Sequence, residues 1–310
     1  MPKVSVIIPV YGVEKYIERC AVSLFEQTLE DMEFIFVDDC TPDKSIEILK
    51  DVLDNYPNRK NQVIIHRMDQ NSGLPLVRKW GIQNATGDYV IHCDSDDWVD
   101  TEMYNVMYKK AIEENSDMVI CDYLMTDGVN KWLSNPSKFK DKYDLIYNCL
   151  SRVSSWSVWN KMVKRDVFQG DFTFPVGSFG EDGVIAIQSI LKSNVISFVD
   201  SSLYFYFVNN MSMTHSRSID KIVKHYYELQ ANTDIIFHIL NLYGLDSRYS
   251  HEIMMIKYWN RCTLYPVISD KNVHNIWMNS YREINKSVLF DRSIPLRSKI
   301  KFIYLLWFAI

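Results

Sequence analysis

Two periodicities of apolar residues alternate through about the first 125 residues. Val4 to Val10 (VSVIIPV) is a β-branched run, and Val13, Ile17, Cys20, Ala21 and Leu24 then recur three or four apart towards Gln27. The run predicts a buried strand and the recurrence a helix with one apolar face. Glu33 to Val37 and Gln62 to His66 repeat the strand signature, and Ile46, Leu49, Val52 and Tyr56 mark a helix between them. A helix over about 75–84 leads through Thr86-Gly87 to a strand at Tyr89 to Cys93, and another over about 101–114 leads to Met118 to Cys121. Strands separated by helices of this length predict a mostly parallel sheet covered on both faces. Ligands of such sheets gather at the carboxyl ends of the strands.

Beyond residue 125 the regular alternation stops. Residues 127–136 read as a loop, and Gln169-Gly170-Asp171 and Pro175-Val176-Gly177 as turns. From about Ile219 three apolar series (Ile222, Tyr226, Leu229; Ile235, Ile239, Leu242; Ile253, Ile256, Trp259) predict successive helices. The expected fold class is therefore α/β, closing with a helical region over about 216–310.

Composition narrows the functional classes. A hydrophobic content of 47%, 14% of the chain being aromatic, is ample for one large core or two. A formal charge of −5 argues against a general nucleic-acid binder, which carries a basic field. Cys20, Cys40, Cys93, Cys121, Cys149 and Cys262 are scattered without a C-x-x-C pair, as expected of a reducing cytoplasm. The apolar run near the start is short and broken by Ser5 and Pro9, unlike a signal peptide. No uninterrupted apolar stretch reaches the ~20 residues of a spanning helix.

The chemistry concentrates at Asp88 to Trp98 (DYVIHCDSDDW), where an apolar strand ends in Asp94, Asp96 and Asp97. Carboxylates this close repel, and burial raises their pKa values unless a cation compensates. Oxygen-only ligands suit Mg²⁺ or Mn²⁺, which complete their shells with water and substrate phosphate. The sequence thus points to a metal and diphosphate site; the structural alternative is an acidic turn opening a helix.

The motifs KVSVIIPVYGVEKYIERCAVSLFEQT, FIFVDDCTPDKS, NSGLPLVRKWGI and GDYVIHCDSDDW occur here in the order seen in glycosyltransferase family 2. The resemblance is close over residues 3–125 and continues through VWNKMVKRDVF and FGEDGVIA to about Thr214. It implies a GT-A fold and inverting transfer of a sugar from a nucleotide donor, usually with a divalent metal. It assigns 1–125 to the nucleotide-sugar and 126–215 to the acceptor. Matched by motif, the backbone at Pro9, Val10 and Tyr11 and the side chain of Glu14 line the nucleotide pocket, and Asp39 accepts the pyrimidine ring N–H. A carboxylate acceptor favours uracil or thymine over cytosine, and the donor expected is a UDP-sugar before a dTDP-sugar. The alternative for Asp38-Asp39 is a helix N-cap pair before Thr41-Pro42-Asp43.

The same resemblance sets Arg78 beside the diphosphate, Asp96 as metal ligand and Asp94 as a ribose or metal contact, while Asp97 orients the loop. In Phe179-Gly-Glu-Asp-Gly183 it makes Asp182, or alternatively Glu181, the base that takes the acceptor hydroxyl's proton. Trp98, Trp156 and Trp159 are candidates for stacking on sugar or for core packing. Departures from the family pattern are Gly12 for Asn, Cys40 for Gly, Pro75 for Ser, Lys79 for Asn, and Phe207 where a basic residue is common; His215 and Arg217 are candidate substitutes for the last. The acceptor implied is a glycan or lipid-linked saccharide of a surface polysaccharide. Two other classes compete. A sugar nucleotidyltransferase needs a Gly-rich basic loop, which VIIPVYGVEKY is not, and the retained Asp39, Asp94, Asp96 and Asp182 argue against a non-catalytic nucleotide-sugar or glycan binder.

Residues 292–310 join Arg292, Arg297, Lys299 and Lys301 to the apolar FIYLLWFAI. Two readings follow: a segment lying in the inner face of a bacterial membrane, or a helix docked on the protein's own core.

Overall fold

The computed structural model describes residues 1–133, 138–208 and 218–307. Every strand and helix expected before residue 125 forms. β1 (Val4–Val10) leads to α1 (Ile17–Phe25), β2 (Met32–Asp38) to α2 (Ser45–Asp54), β3 (Val63–Arg67) to α3 (Leu74–Asn84), and β4 (Tyr89–His92) through a short β5 (Trp98–Val99) to α4 (Met103–Glu113). In α1 the buried residues are Ile17, Cys20, Ala21, Leu24 and Phe25, one stripe laid against the sheet. Each large apolar side chain so buried contributes about 1.5–3 kcal/mol.

Among the described residues the sheet has nine strands. The order is β3-β2-β1-β4-β8-β6-β9-β5, with β7 paired to β6. Here β6 is Met118–Thr126, β7 Lys131–Leu133, β8 Lys161–Lys164 and β9 Ile196–Phe207. The half built from β3, β2, β1 and β4 is wholly parallel. β8 then enters antiparallel between β4 and β6, β9 returns parallel to β6, and β5 pairs antiparallel with β9. The expected parallel sheet is thus extended by a mixed half. The loop expected over 127–136 is, in its described part, a hairpin: Asp127 accepts from the Val129 and Asn130 amides, at 2.9 and 2.7 Å, and the chain returns as β7. α5 (Lys142–Leu150) and α6 (Glu181–Lys192) complete this part.

The described residues of 1–175 and 182–208 form one compact unit, and those of 176–181 and 218–307 another. The second unit is helical, comprising α7 (Ile219–Leu242), α8 (Ser250–Cys262), α9 (Lys271–Asn279), α10 (Asn285–Phe290) and α11 (Leu296–Trp307). The first two apolar series share the single helix α7, since no Gly or Pro interrupts 219–242. Leu242, read as the end of its apolar face, is 72% exposed. α11 docks through Phe302 and Leu305 into a core that includes Tyr258, Val273, Trp277 and Val288. Its other face is also apolar: Leu296, Ile300, Ile303, Tyr304 and Trp307 are exposed. Residues 308–310, the end of the segment considered for membrane contact, lie outside the described residues, as do Thr214, His215 and Arg217. No described helix is long and apolar enough to cross a membrane.

Candidate active site

The chain runs from β1 to β2 and β3 on one side, then places β4 on the other side of β1. A crevice opens at such a reversal. β1 pairs with β4 as far as Ile7 and His92 and with β2 as far as Val10 and Asp38. The regular ladder between β1 and β4 therefore ends first, and the segment after β4 carries its carboxylates along the sheet's carboxyl edge.

Each carboxylate there has a different partner set. Asp97 is fully buried; its oxygens accept the Tyr204 hydroxyl at 2.6 Å and the Phe207 amide at 2.7 Å. It thus ties the loop to β9. Burial, then Asp96 and Asp94, push its pKa well up, against those two hydrogen bonds. Tyr204 also accepts the Asp94 amide at 3.1 Å, so one phenol links Asp94 and Asp97. Arg19 on α1 donates to the Asp96 carbonyl at 2.8 Å and lies 3.7 Å over the Trp98 ring. Ser95 donates to the Pro9 carbonyl at 2.6 Å, joining the acidic loop to the end of β1.

Asp94 and Asp96 are half-buried. Burial raises the pKa of Asp94, Arg78 opposes the rise and Asp182 adds to it. Asp96 is pushed up to about 6, chiefly by burial and then by Asp94. Burial thus weighs against charge on both carboxylates, a penalty that a divalent cation would offset. Among the described residues no three His, Cys, Asp or Glu side chains converge as a metal cluster. The protein's share of a metal shell would thus be Asp94 and Asp96, the rest coming from water and phosphate.

Arg78 is the hub. It is 1% exposed and donates to Asp94 Oδ1 at 3.0 Å, with Asp182 Oδ1 3.5 Å away as an ion pair. α3 carries it inward because Gly73, at φ 81°, caps the helix and Pro75 occupies its first turn, where no amide hydrogen is required. Asp182 is the second residue of α6, after Glu181. The Asp182 side chain is 29% exposed, and its buried Oδ1 makes no hydrogen bond; Glu181 is only 3% exposed.

On the β2 side, Asp39 accepts the Ser72 amide at 2.6 Å on one oxygen and the Gly73 amide at 2.9 Å on the other. Each oxygen keeps a second lone pair. Asp38 instead accepts from Thr41 and pairs with Arg67. Val10 accepts the Asp39 amide at 3.0 Å, and the exposed Glu14 accepts the Lys44 amide at 3.2 Å. Tyr11 is 52% exposed. Cys40 has φ 56°, a left-handed conformation suited to the glycine more usual at this position. Trp159 is core: it is 5% exposed and stacks on Tyr204 at 4.1 Å.

The sequence assigns no role to Tyr204 or to Arg19, although Arg19 falls within the first of the family motifs. The alternation in Leu203 to Phe207 is the available signal for the first, since it marks a strand whose alternate residues face one way. Nothing local signals Arg19.

A model of the family described as glycosyl transferase family 2 matches residues 5–179. Glycosyltransferase GlyA of Streptococcus pneumoniae is 29% identical over 226 residues, which are 68% of this chain and 31% of that protein. The chain thus spans about a third of that relative. Among solved structures, Staphylococcus aureus TarS 1–349 in complex with UDP-GlcNAc aligns with a TM-score of 0.62 at 19% identity, covering 98% of this chain and 90% of TarS 1–349. The mannosyltransferase PcManGT of Pyrobaculum calidifontis, in complex with GDP-Man and Mn²⁺, aligns with a TM-score of 0.54 at 14% identity, covering 98% and 85%.

Proposed function

The chain belongs to glycosyl transferase family 2, and on that premise we propose that it transfers a sugar from a UDP-sugar to a hydroxyl of a glycan or lipid-linked saccharide of a surface polysaccharide, with inversion. The observation that carries this reading is the buried Arg78 set between Asp94 and Asp182. A guanidinium there meets the donor diphosphate and offsets the charge that grows on the leaving nucleotide. Asp182, with an acceptor oxygen lacking any hydrogen bond, takes the proton of the attacking hydroxyl. Its partial exposure favours it over the buried Glu181. Asp39 receives the N–H of uracil, and Pro9, Val10, Tyr11 and Glu14 border the nucleotide. Asp94 and Asp96 would hold Mn²⁺ or Mg²⁺, which would supply further positive charge at the diphosphate. Support for the donor class is the UDP-GlcNAc complex of the TarS neighbour, and for a metal the Mn²⁺ of PcManGT.

The test is donor binding and hydrolysis with UDP-, dTDP-, GDP- and CMP-sugars in Mn²⁺, Mg²⁺ or EDTA. Metal-dependent selection of a uridine donor, lost in Asp96→Ala, is expected; binding of none of them under any condition overturns the reading. Asp182→Asn separates enzyme from binder, because an enzyme keeps donor affinity and loses turnover.

A second element bears on where the reaction takes place. The exposed Leu296, Ile300, Ile303, Tyr304 and Trp307 fall on one side of α11 at about 100° per residue. Lys299 flanks this stripe on one side, and Arg297 and Lys301 on the other. Such a face suits the surface of an anionic bilayer, where each basic residue adds about 1 kcal/mol. The reading is peripheral attachment at the cytoplasmic face of the membrane.

A further inference from the structure

We propose that Lys161, acting through Trp156, is a positioning residue for the Asp182 carboxylate; the inference rests on the reading of Asp182 as the base. Lys161 opens β8 and is 4% exposed. Its ammonium donates to the carbonyls of Ser155 at 3.1 Å and Ser157 at 2.8 Å and to Asn160 Oδ1 at 3.0 Å. Three donors meet three acceptors, as a buried ammonium requires. Asn160 Oδ1 also accepts the Ser157 hydroxyl at 3.0 Å, and its amide nitrogen donates to the Cys121 carbonyl on β6 at 2.8 Å. The turn over 155–160 is thereby closed around one cation and fastened to the sheet.

The two carbonyls held by Lys161 are those on either side of Trp156. The indole N–H donates to the Cys149 carbonyl at 2.6 Å, which fixes the ring. That ring lies against Gly183, the residue after Asp182. A Cβ on Gly183 would lie 2.3 Å from Trp156 Cε3 and 2.8 Å from Cζ3, closer than side chains approach. The first turn of α6 is therefore seated on the indole, while Arg78 meets Asp182 at 3.5 Å. Burial lowers the pKa of Lys161, and Asp182 is among the groups that oppose this. Lys161 thus holds the wall behind Asp182 through the two carbonyls that flank Trp156. An apolar residue of similar length would fill the same space without holding either carbonyl.

Two substitutions press on this device from opposite ends. Lys161→Met removes the ammonium at similar length, and Gly183→Ala pushes on the indole while leaving the Lys161 bonds intact. Both are measured by hydrolysis of the donor selected in the screen, by calorimetric titration with UDP, and by thermal melting. A displacement of about 1 Å at a catalytic group costs up to about 100-fold in rate. The expected result is a 10- to 100-fold fall in kcat in each variant, with UDP affinity within twofold of the parent. Measured on the residual rate of Asp182→Asn, adding Lys161→Met costs less than twofold, because the side chain acts through the carboxylate already removed. An equal loss in that background, or UDP affinity falling with kcat, assigns Lys161 a general structural role and overturns the proposal. If Lys161→Met does not melt cooperatively, Gly183→Ala and Trp156→Phe decide by the same criteria. Full activity in well-folded variants beside an inactive Asp182→Asn sinks this inference alone. Full activity of Asp182→Asn sinks the parent reading and this one with it.

Discussion

Arg78→Met tests the hub of the site most severely. The substitution keeps much of the side chain's volume and removes a cation that is 1% exposed, 3.0 Å from Asp94 and 3.5 Å from Asp182. At an effective dielectric constant of about 20, each pair contributes about 5 kcal/mol of gross attraction. Against this stands the cost of dehydrating the guanidinium, several kcal/mol, which the variant no longer bears. The carboxylates, each more than a quarter exposed, also recover some hydration. Breaking such a pair on one side is therefore expected to cost about 3 kcal/mol at pH 7.5. The deficit depends on pH. Burial already sets the folded pKa of Asp94 above its unfolded 3.8, and Arg78 restrains the rise. Without Arg78 the folded value climbs further, so folding favours the protonated form more strongly. The penalty is then full above the variant's folded pKa and fades as pH falls through it towards the parent's, the unfolded value being common to both. Equilibrium urea unfolding of parent and variant at pH 7.5 and pH 5 reads this directly, with donor turnover expected to fall about 10²–10³-fold. A deficit under about 0.5 kcal/mol at pH 7.5, below the usual worth of one hydrogen bond, refutes the assignment of Arg78 as the site's buried counter-charge. So does a deficit equal at the two pH values.

Tyr204→Phe removes the phenol between the Asp94 amide and Asp97; a stability loss of about 1–3 kcal/mol is expected, with weaker Mn²⁺ binding in calorimetry, and unchanged Mn²⁺ affinity would separate this phenol from the metal site. At Cys40, whose φ is 56°, glycine is expected to match or raise the melting temperature and valine to lower it, the left-handed conformation costing a residue with Cβ about 1–2 kcal/mol; the reverse order would show that the Cys40 contact with the Met68 carbonyl outweighs the backbone. On α11, the double substitution Ile300→Glu and Ile303→Glu is expected to reduce co-sedimentation with phosphatidylglycerol vesicles at least tenfold while the melting temperature holds, since both side chains are exposed. Undiminished sedimentation would remove this face as the contact.

Much of the fold is legible in the sequence because period reports burial. Val4 to Val10 reads as a buried strand by its length and β-branched residues, and Ile17, Cys20, Ala21 and Leu24 line up on one face of a helix. The parallel half follows, and with it the edge where Asp39 and Asp94 emerge. The mixed half does not. Lys161 to Lys164 has no period to display in four residues; it is a strand because β4 and β6 offer it backbone partners on both sides. β9 likewise owes its place to pairing with β6 across a bulge.

The site divides along the same line. That Asp94, Asp96 and Asp97 cluster is a property of adjacent residues and is visible in the string. That Asp97 binds β9 while Asp94 meets Arg78, and that Arg78 reaches Asp182 on another helix, is visible only once the chain is packed. The sequence by itself determined the alternation of strands and helices, the acidic loop and the family. Tertiary structure decided the partner of each carboxylate, the indole beneath Gly183 and the second apolar face of α11. Local pattern records how much of a residue is buried; which group lies against it depends on contacts between segments far apart in the chain.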